Sequence, residues 1–155
     1  MRIIDTHLLD TVSAEAKGSP RLRKNHNFHP ADDSPCHRLL NAMEPDSYIR
    51  PHCHASPLKD ESIVVVRGRL GVAAFDGAGV VVMTRILAAG GDAVAVDIPH
   101  GEFHTVVALE HGTVFFEAKA GPYAPLAETE KASWAPDEAT SGAPSYLAWL
   151  KGLFS

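Results

Sequence analysis

The sequence holds only two cysteines, Cys36 and Cys53. That is too few for a disulfide scaffold, and their separation rules out a CxxC metal or redox motif. Both are read as reduced thiols. There is no excess of basic residues either: 14 Lys plus Arg against 19 Asp plus Glu leave a formal charge of −5. A chain so balanced has no cationic surplus to release counterions from a nucleic acid, so no nucleic-acid partner is expected. Long apolar runs are missing as well. Runs such as Ile63 to Val66 and Val80 to Met83 fall far short of the ~20 residues that cross a bilayer, so no membrane partner is expected. The first ten residues interrupt their apolar side chains with Asp5, His7 and Asp10. They lack the apolar core of a signal peptide, and the expected location is the cytoplasm.

What is present is enough for one globular domain: 155 residues, 45% hydrophobic and 21% charged. Between residues 3 and 17, Ile4, Leu8, Val12 and Ala16 recur every fourth position beside Leu9, which predicts a short amphipathic helix ending at Gly18, Ser19 and Pro20. Residues 21–35 are polar and proline-bearing and read as a surface loop with room for one short strand. From His37 to Lys119 there follow eight short runs rich in Val, Ile, Leu and Phe, Ser47–His54 among them. Turn residues separate them, as in an antiparallel all-β barrel or jelly roll. An Ala-, Glu- and Pro-rich arm comes after Gly121–Pro122. The end of the chain places Tyr146, Trp149, Leu150 and Leu153 on one helical face behind Pro144, a helix expected to dock on the barrel or on a second subunit. The resulting divisions are 1–36, an N-terminal helix and polar loop; 37–123, the barrel; and 124–155, the arm and short helix.

Histidine is the unusual residue, nine in all. His52 and His54 are two apart in a run read as a strand, so both imidazoles share a face and can meet one ion, while Cys53 points away. Glu61 opens the next run, where a returning hairpin brings its carboxylate back to the pair. His104 follows the Pro99–Gly101 turn. Three imidazoles and one carboxylate make an N₃O site for a divalent metal: Zn or Fe is favoured, and Mn or Ni is compatible. His7, His37, His100 and His111 show no partner spacing and read as surface or turn residues.

H-x-H, Glu61, then six residues to Gly68, and P-H-G-E-F-H about thirty residues later resemble the two motifs of the cupin superfamily. The resemblance implies an all-β double-stranded β-helix, a jelly-roll barrel with a short N-terminal helix and a C-terminal arm plus helix. P-H-G-E-F-H fits the second motif, which closes on Ala108 where Asn is usual, and in the first motif six residues separate His54 from Glu61 and Asp46 stands where glycine is usual. The strings SPRLRKNHNFH, SYIRPHCH, LKDE, HTVVALEHGTVFFEAKAGPYAP and WAPDE are similar to the WbuC-type cupin-fold metalloproteins, which share that longer spacing. Those proteins are associated with bacterial surface-polysaccharide (O-antigen) gene clusters. This resemblance therefore implies a metal site and a carbohydrate context.

Around the metal, Arg50 shares strand parity with His52 and suits a carboxylate or phosphate clamp. Glu117 and Lys119, two apart, form either a general acid/base pair or a salt-bridged rim. Tyr123 either donates a phenolic hydrogen bond to a sugar or closes the barrel end. Asn27 and His29, in the cationic segment that begins at Arg21, are placed to meet an anionic ligand at the barrel mouth. Three functions remain open. One is a metal-dependent isomerase or epimerase acting on a carbohydrate or sugar nucleotide. The others are a non-haem Fe(II) dioxygenase and a non-catalytic sugar-binding or sensor protein. The expected partners are a small-molecule ligand and a second copy of the chain, in a homodimer.

Overall fold

The computed structural model describes residues 1–155. Helix α1, Thr6–Gly18, starts where the Asp5 side chain accepts a hydrogen bond from the Leu8 N–H (2.9 Å), and it ends at Ser19. Leu9, Val12 and Ala16 form its buried stripe. Ile4 lies before the cap and stays 42% exposed, so the apolar repeat begins later than the four-residue spacing predicts.

Eight strands follow: β1 Arg23–Asn27, β2 Cys36–Met43, β3 Glu61–Arg67, β4 Arg69–Phe75, β5 Val81–Ala88, β6 Ala95–Ile98, β7 Phe103–Ala108 and β8 Thr113–Ala120. They build two antiparallel sheets, β1-β2-β8-β3-β6 and β5-β4-β7. Between the sheets lie Met43, Ile63, Val65, Leu70, Val72 and Phe115, all buried. Each such side chain taken out of water contributes about 1.5–3 kcal/mol. The alternation of β2 separates the two faces: Met43 enters this core, while Leu40 and Ala42 turn outward and pack with Val114 under α1. Gly68 joins β3 to β4 at φ +74°, where a Cβ would stand 2.6 Å from Thr113 Oγ1, so only glycine fits the turn.

The last helix, α2 (Ala143–Gly152), covers the outer face of the three-stranded sheet. Ala143, Leu147 and Leu150 pack there against Ala73, Phe75 and Val107. The expected stripe is rotated: Leu150 is wholly buried, but Trp149 is 44% exposed and Tyr146 and Leu153 are only partly covered. Phe75 and Tyr146 flank the Trp149 ring instead of enclosing it.

The one short strand allowed for in the polar segment after Pro20 is β1, paired with β2 along its whole length, so the sheet begins before residue 37. One run departs from the sequence reading. Ser47–His54 is not a strand. Within it only His52 makes bridges, to His104 and Lys131. Pro51 has no N–H to donate to a ladder.

Candidate metal centre and ligand cavity

His52 and His54 do converge, because their irregular segment is held straight from outside. His52 exchanges both backbone hydrogen bonds with His104 (3.0 and 2.9 Å), which fastens it to the start of β7. The carbonyl of His54 accepts from the Gly101 N–H (2.8 Å), and Gly101 takes φ +79° to present it. The three imidazoles therefore face one another, with His52 and His104 ring centroids 4.8 Å apart. One nitrogen from each of His52, His54 and His104 lies within 4.8 Å of the others.

Two of the rings have a fixed tautomer. His52 Nδ1 donates to the Arg50 carbonyl (3.1 Å) and His104 Nδ1 to the Glu102 carbonyl (2.9 Å), so each Nε2 keeps a free lone pair. Burial, reinforced by the neighbouring His104 ring, pulls the His52 pKa down to about 3. His104 is also lowered, again chiefly by burial. Both are thus neutral imidazoles, the form that ligates metal.

Glu61, the first residue of β3, points at the same centre. Its Oε2 lies 2.9 Å from His54 Nε2 and 3.8 Å from His104 Nε2. Burial opposes its charge, but the His54 hydrogen bond and the Lys119 ammonium hold its carboxyl below the usual range. Three clustered imidazoles, two of them neutral with a free Nε2, beside an ionised carboxylate that His54 contacts make a donor set suited to a divalent transition metal. Cys53 is buried and outside this group, and burial raises its thiol pKa.

Behind Glu61, β8 carries Glu117 and Lys119. Lys119 Nζ lies 2.6 Å from Glu117 Oε1 and 4.0 Å from Glu61 Oε2. Glu117 Oε2 accepts from Asn41 Nδ2 (2.6 Å). Burial and the nearby Glu61 charge push the Glu117 carboxyl upward. Burial works against the Lys119 charge, but Glu117 and Glu61 together raise its pKa and keep it protonated.

His52, His54 and Lys119 open into a cavity of about 350 Å³. Tyr123 stands at its mouth, 60% exposed, with its N–H bonded to the Asp32 carbonyl. Arg50 does not line it. Its guanidinium donates twice to the Ala132 carbonyl and pairs with Asp137, since the chain around Pro51 runs beside the C-terminal arm and not along a strand. Asn27 and His29 do not line it either. His29 is buried, stacked on His37 at 4.0 Å, and its Nδ1 accepts from the Arg38 N–H. Asn25 and His37 take their places at the cavity wall. His37 is accordingly no surface residue, and its Nε2 donates to the Asp32 carbonyl. His100 and His111 do find partners, Asp60 and Glu44.

The sequence reading passed over Asn41, Lys59 and Glu130. Asn41 had a legible signal: a polar side chain on the inward parity of an otherwise apolar strand. Lys59 and Glu130 had none, since their roles depend on contacts between residues 53–59 and the chain beyond residue 120. A larger cavity of about 530 Å³, between Arg21, Asp46 and α2, holds none of the histidines. Arg23 and Lys151 are engaged there by Glu138 and Asp46, and Arg21 is shared with the smaller cavity.

The two facing sheets and the histidine cluster define a protein of cupin fold. Three solved structures are similar. KdgF from Halomonas sp. is 20% identical, with 68% of this chain covering 84% of that one at a TM-score of 0.52. The SPY1581 protein of unknown function from Streptococcus pyogenes is 11% identical, with coverages of 79% and 90% and a TM-score of 0.52. Oxalate oxidase in complex with glycolate is 18% identical, covers 69% of this chain and 56% of its own, and also has a TM-score of 0.52. The chain belongs to the family described as Domain of unknown function (DUF6016), whose model matches residues 4–87, more than half of the sequence. No curated protein matches it.

Proposed function

We propose that this protein is a divalent-metal cupin enzyme acting on a small acidic carbohydrate. A sugar acid or sugar nucleotide of surface-polysaccharide metabolism fits best, in keeping with the WbuC-like strings of the sequence. One observation carries this reading. Two of the proposed ligands, His52 and His54, open into a cavity whose 13 lining residues include Arg21, Arg23, Lys59 and Lys119 and no Asp or Glu. Lys59 donates only to the Pro122 carbonyl, and the Arg21 side chain has no hydrogen-bond partner, so both are available to an anion.

A bound divalent ion would be held by His52, His54, Glu61 and His104 and would supply Lewis acidity to a ligand oxygen. The chain itself supplies proton handling. Lys119 reaches the cavity as an ammonium braced by Glu117, and Asn41 fixes the far oxygen of that carboxylate. Such an acid/base pair suits isomerisation or epimerisation, in which a proton leaves one carbon and is returned at another. This pair favours that chemistry over the dioxygenase reading.

The test is elemental analysis of protein purified without added metal, followed by calorimetric titration with uronic acids, sugar phosphates and nucleotide sugars against their neutral parents. Stoichiometric metal with binding restricted to the acidic sugars supports the proposal. Absence of metal, or equal affinity for neutral sugars, overturns it. Binding without turnover would place the protein among the non-catalytic sensors.

A further inference from the structure

The segment that carries His52 and His54 has no secondary structure of its own, yet its backbone is hydrogen-bonded on both sides. On one side lies β7, through His52 with His104 and through the His54 carbonyl with Gly101. On the other lies the C-terminal arm, from more than 70 residues later in the sequence. The Cys53 N–H donates to the Glu130 carbonyl (2.8 Å), and the Ala132 N–H donates to the Pro51 carbonyl (3.0 Å). Glu130 adds its side chain: Oε1 accepts from the Ala55 N–H and Oε2 from the Ala127 N–H, both at 2.8 Å. The residues before and after His54 are therefore both fastened to Glu130, one through its carbonyl and one through its carboxylate.

Farther along, the arm is locked in place by three side chains. Arg50 donates to the Ala132 carbonyl and pairs with Asp137. The Tyr48 hydroxyl donates to the Pro136 carbonyl (2.9 Å), and Arg23 pairs with Glu138 (2.6 Å). The arm thus substitutes for a neighbouring strand that the barrel does not provide. Donors left free at Cys53 and Ala55 would turn toward water and take the His54 ring with them.

On the basis that His52, His54, Glu61 and His104 hold a metal, we propose that Glu130 is a positioning residue for that centre. It sets the reach and direction of His54 from outside the barrel without touching the ion. The arm is then part of the metal site, not a linker. Outer groups that orient metal ligands change affinity by about 10–100-fold when removed. His52 and His104 are held by each other, so the loss should fall on the His54 contribution.

The experiment is Co²⁺ titration of the full-length protein, read by the visible d–d absorption band and by competition with a chelator, alongside far-UV circular dichroism and thermal melting. Glu130→Ala should bind Co²⁺ about 10–100-fold more weakly, with an altered band and an otherwise folded spectrum. Glu130→Gln keeps one acceptor and loses the other, and should fall between the two. Glu128→Ala removes only an exposed pair with Lys131 and should match the wild type. If Glu130→Ala fails to fold, Glu130→Gln decides: weakened binding supports the proposal, and wild-type affinity with an unchanged band overturns it. A wild-type protein that takes up no Co²⁺ instead overturns the metal reading itself. That outcome differs from a wild type that binds while the Glu130 variants bind equally well.

Discussion

Lys119 Nζ and Glu117 Oε1 lie 2.6 Å apart on successive inward positions of β8, with the Lys119 side chain only 25% exposed. Replacing Lys119 by Met should leave Glu117 and Glu61 as unneutralised buried carboxylates. The predicted cost is roughly 3 kcal/mol, the low end for a broken buried pair, because the ammonium keeps some contact with water. Adding Glu117→Gln should recover part of it. Urea denaturation of the two single variants and the double variant measures the coupling, and strictly additive losses would show that the two side chains do not act as a pair.

His52→Ala and His104→Ala should each lower metal content sharply in protein purified from cells, whereas Cys53→Ala should retain it. Inductively coupled plasma mass spectrometry gives the answer directly. Full occupancy in the histidine variants, or loss in Cys53→Ala, would show that the donors have been assigned to the wrong face of the segment.

Asp46 and Lys151 tie α2 to the loop after β2 at 2.9 Å. The hydrogen bond and charge of Lys151 hold the Asp46 carboxyl below its ordinary value of 3.8. Since the folded state binds the proton less readily than the unfolded chain, the pair stabilises the fold at pH above about 4, and that contribution fades as pH falls through the lowered value. Exposure limits it to below about 1 kcal/mol and makes it sensitive to salt. Melting temperatures recorded from pH 5 down to pH 2.5 should fall less steeply in Asp46→Asn than in the wild type. Parallel curves would remove Asp46 from the acid response.

Leu150 is fully buried and Trp149 is 44% exposed, although they are adjacent on α2. Leu150→Ala should cost about 2–5 kcal/mol through the cavity it leaves, and Trp149→Ala considerably less. Truncation after Ser133 should uncover Phe75 and Val107 and reduce solubility. A truncated chain as soluble as the full one would mean that α2 is dispensable to the barrel.

Much of this was readable from residue order because it depends on local repetition. The β-branched runs and the turn at Gly68 follow from spacing that a hairpin must obey, whereas His52 and His54 meet Glu61 and His104 because β7 and the Gly101 turn hold their irregular segment, not because of strand parity. Arg50 and His29 show where such reasoning stops. Parity assigns a side chain to a face only while the backbone is a regular strand, and Pro51 breaks that condition next to Arg50. His29 was placed at the mouth by the family resemblance of its cationic segment, but stacking on His37 and a hydrogen bond from the Arg38 backbone draw it inside. The short strand at Arg23–Asn27 was allowed for but not bounded, because its composition is polar and an edge strand needs a partner backbone more than it needs apolar side chains.

In the five-stranded sheet, β8 lies between β2 and β3. On the ribosome, the side chains of His52, His54, Glu61 and His104 all emerge before the strand that joins the two halves of that sheet, so none of the earlier strands can close the barrel alone. The ligand set is thus complete in synthesis before it is complete in space, and non-local pairing of this kind slows folding. Ribosome-stalled chains ending near residue 110 should stay open to protease, and chains extended past the arm should become resistant once released. Resistance in the shorter chains would mean that the protein assembles in a different order from its strand arrangement.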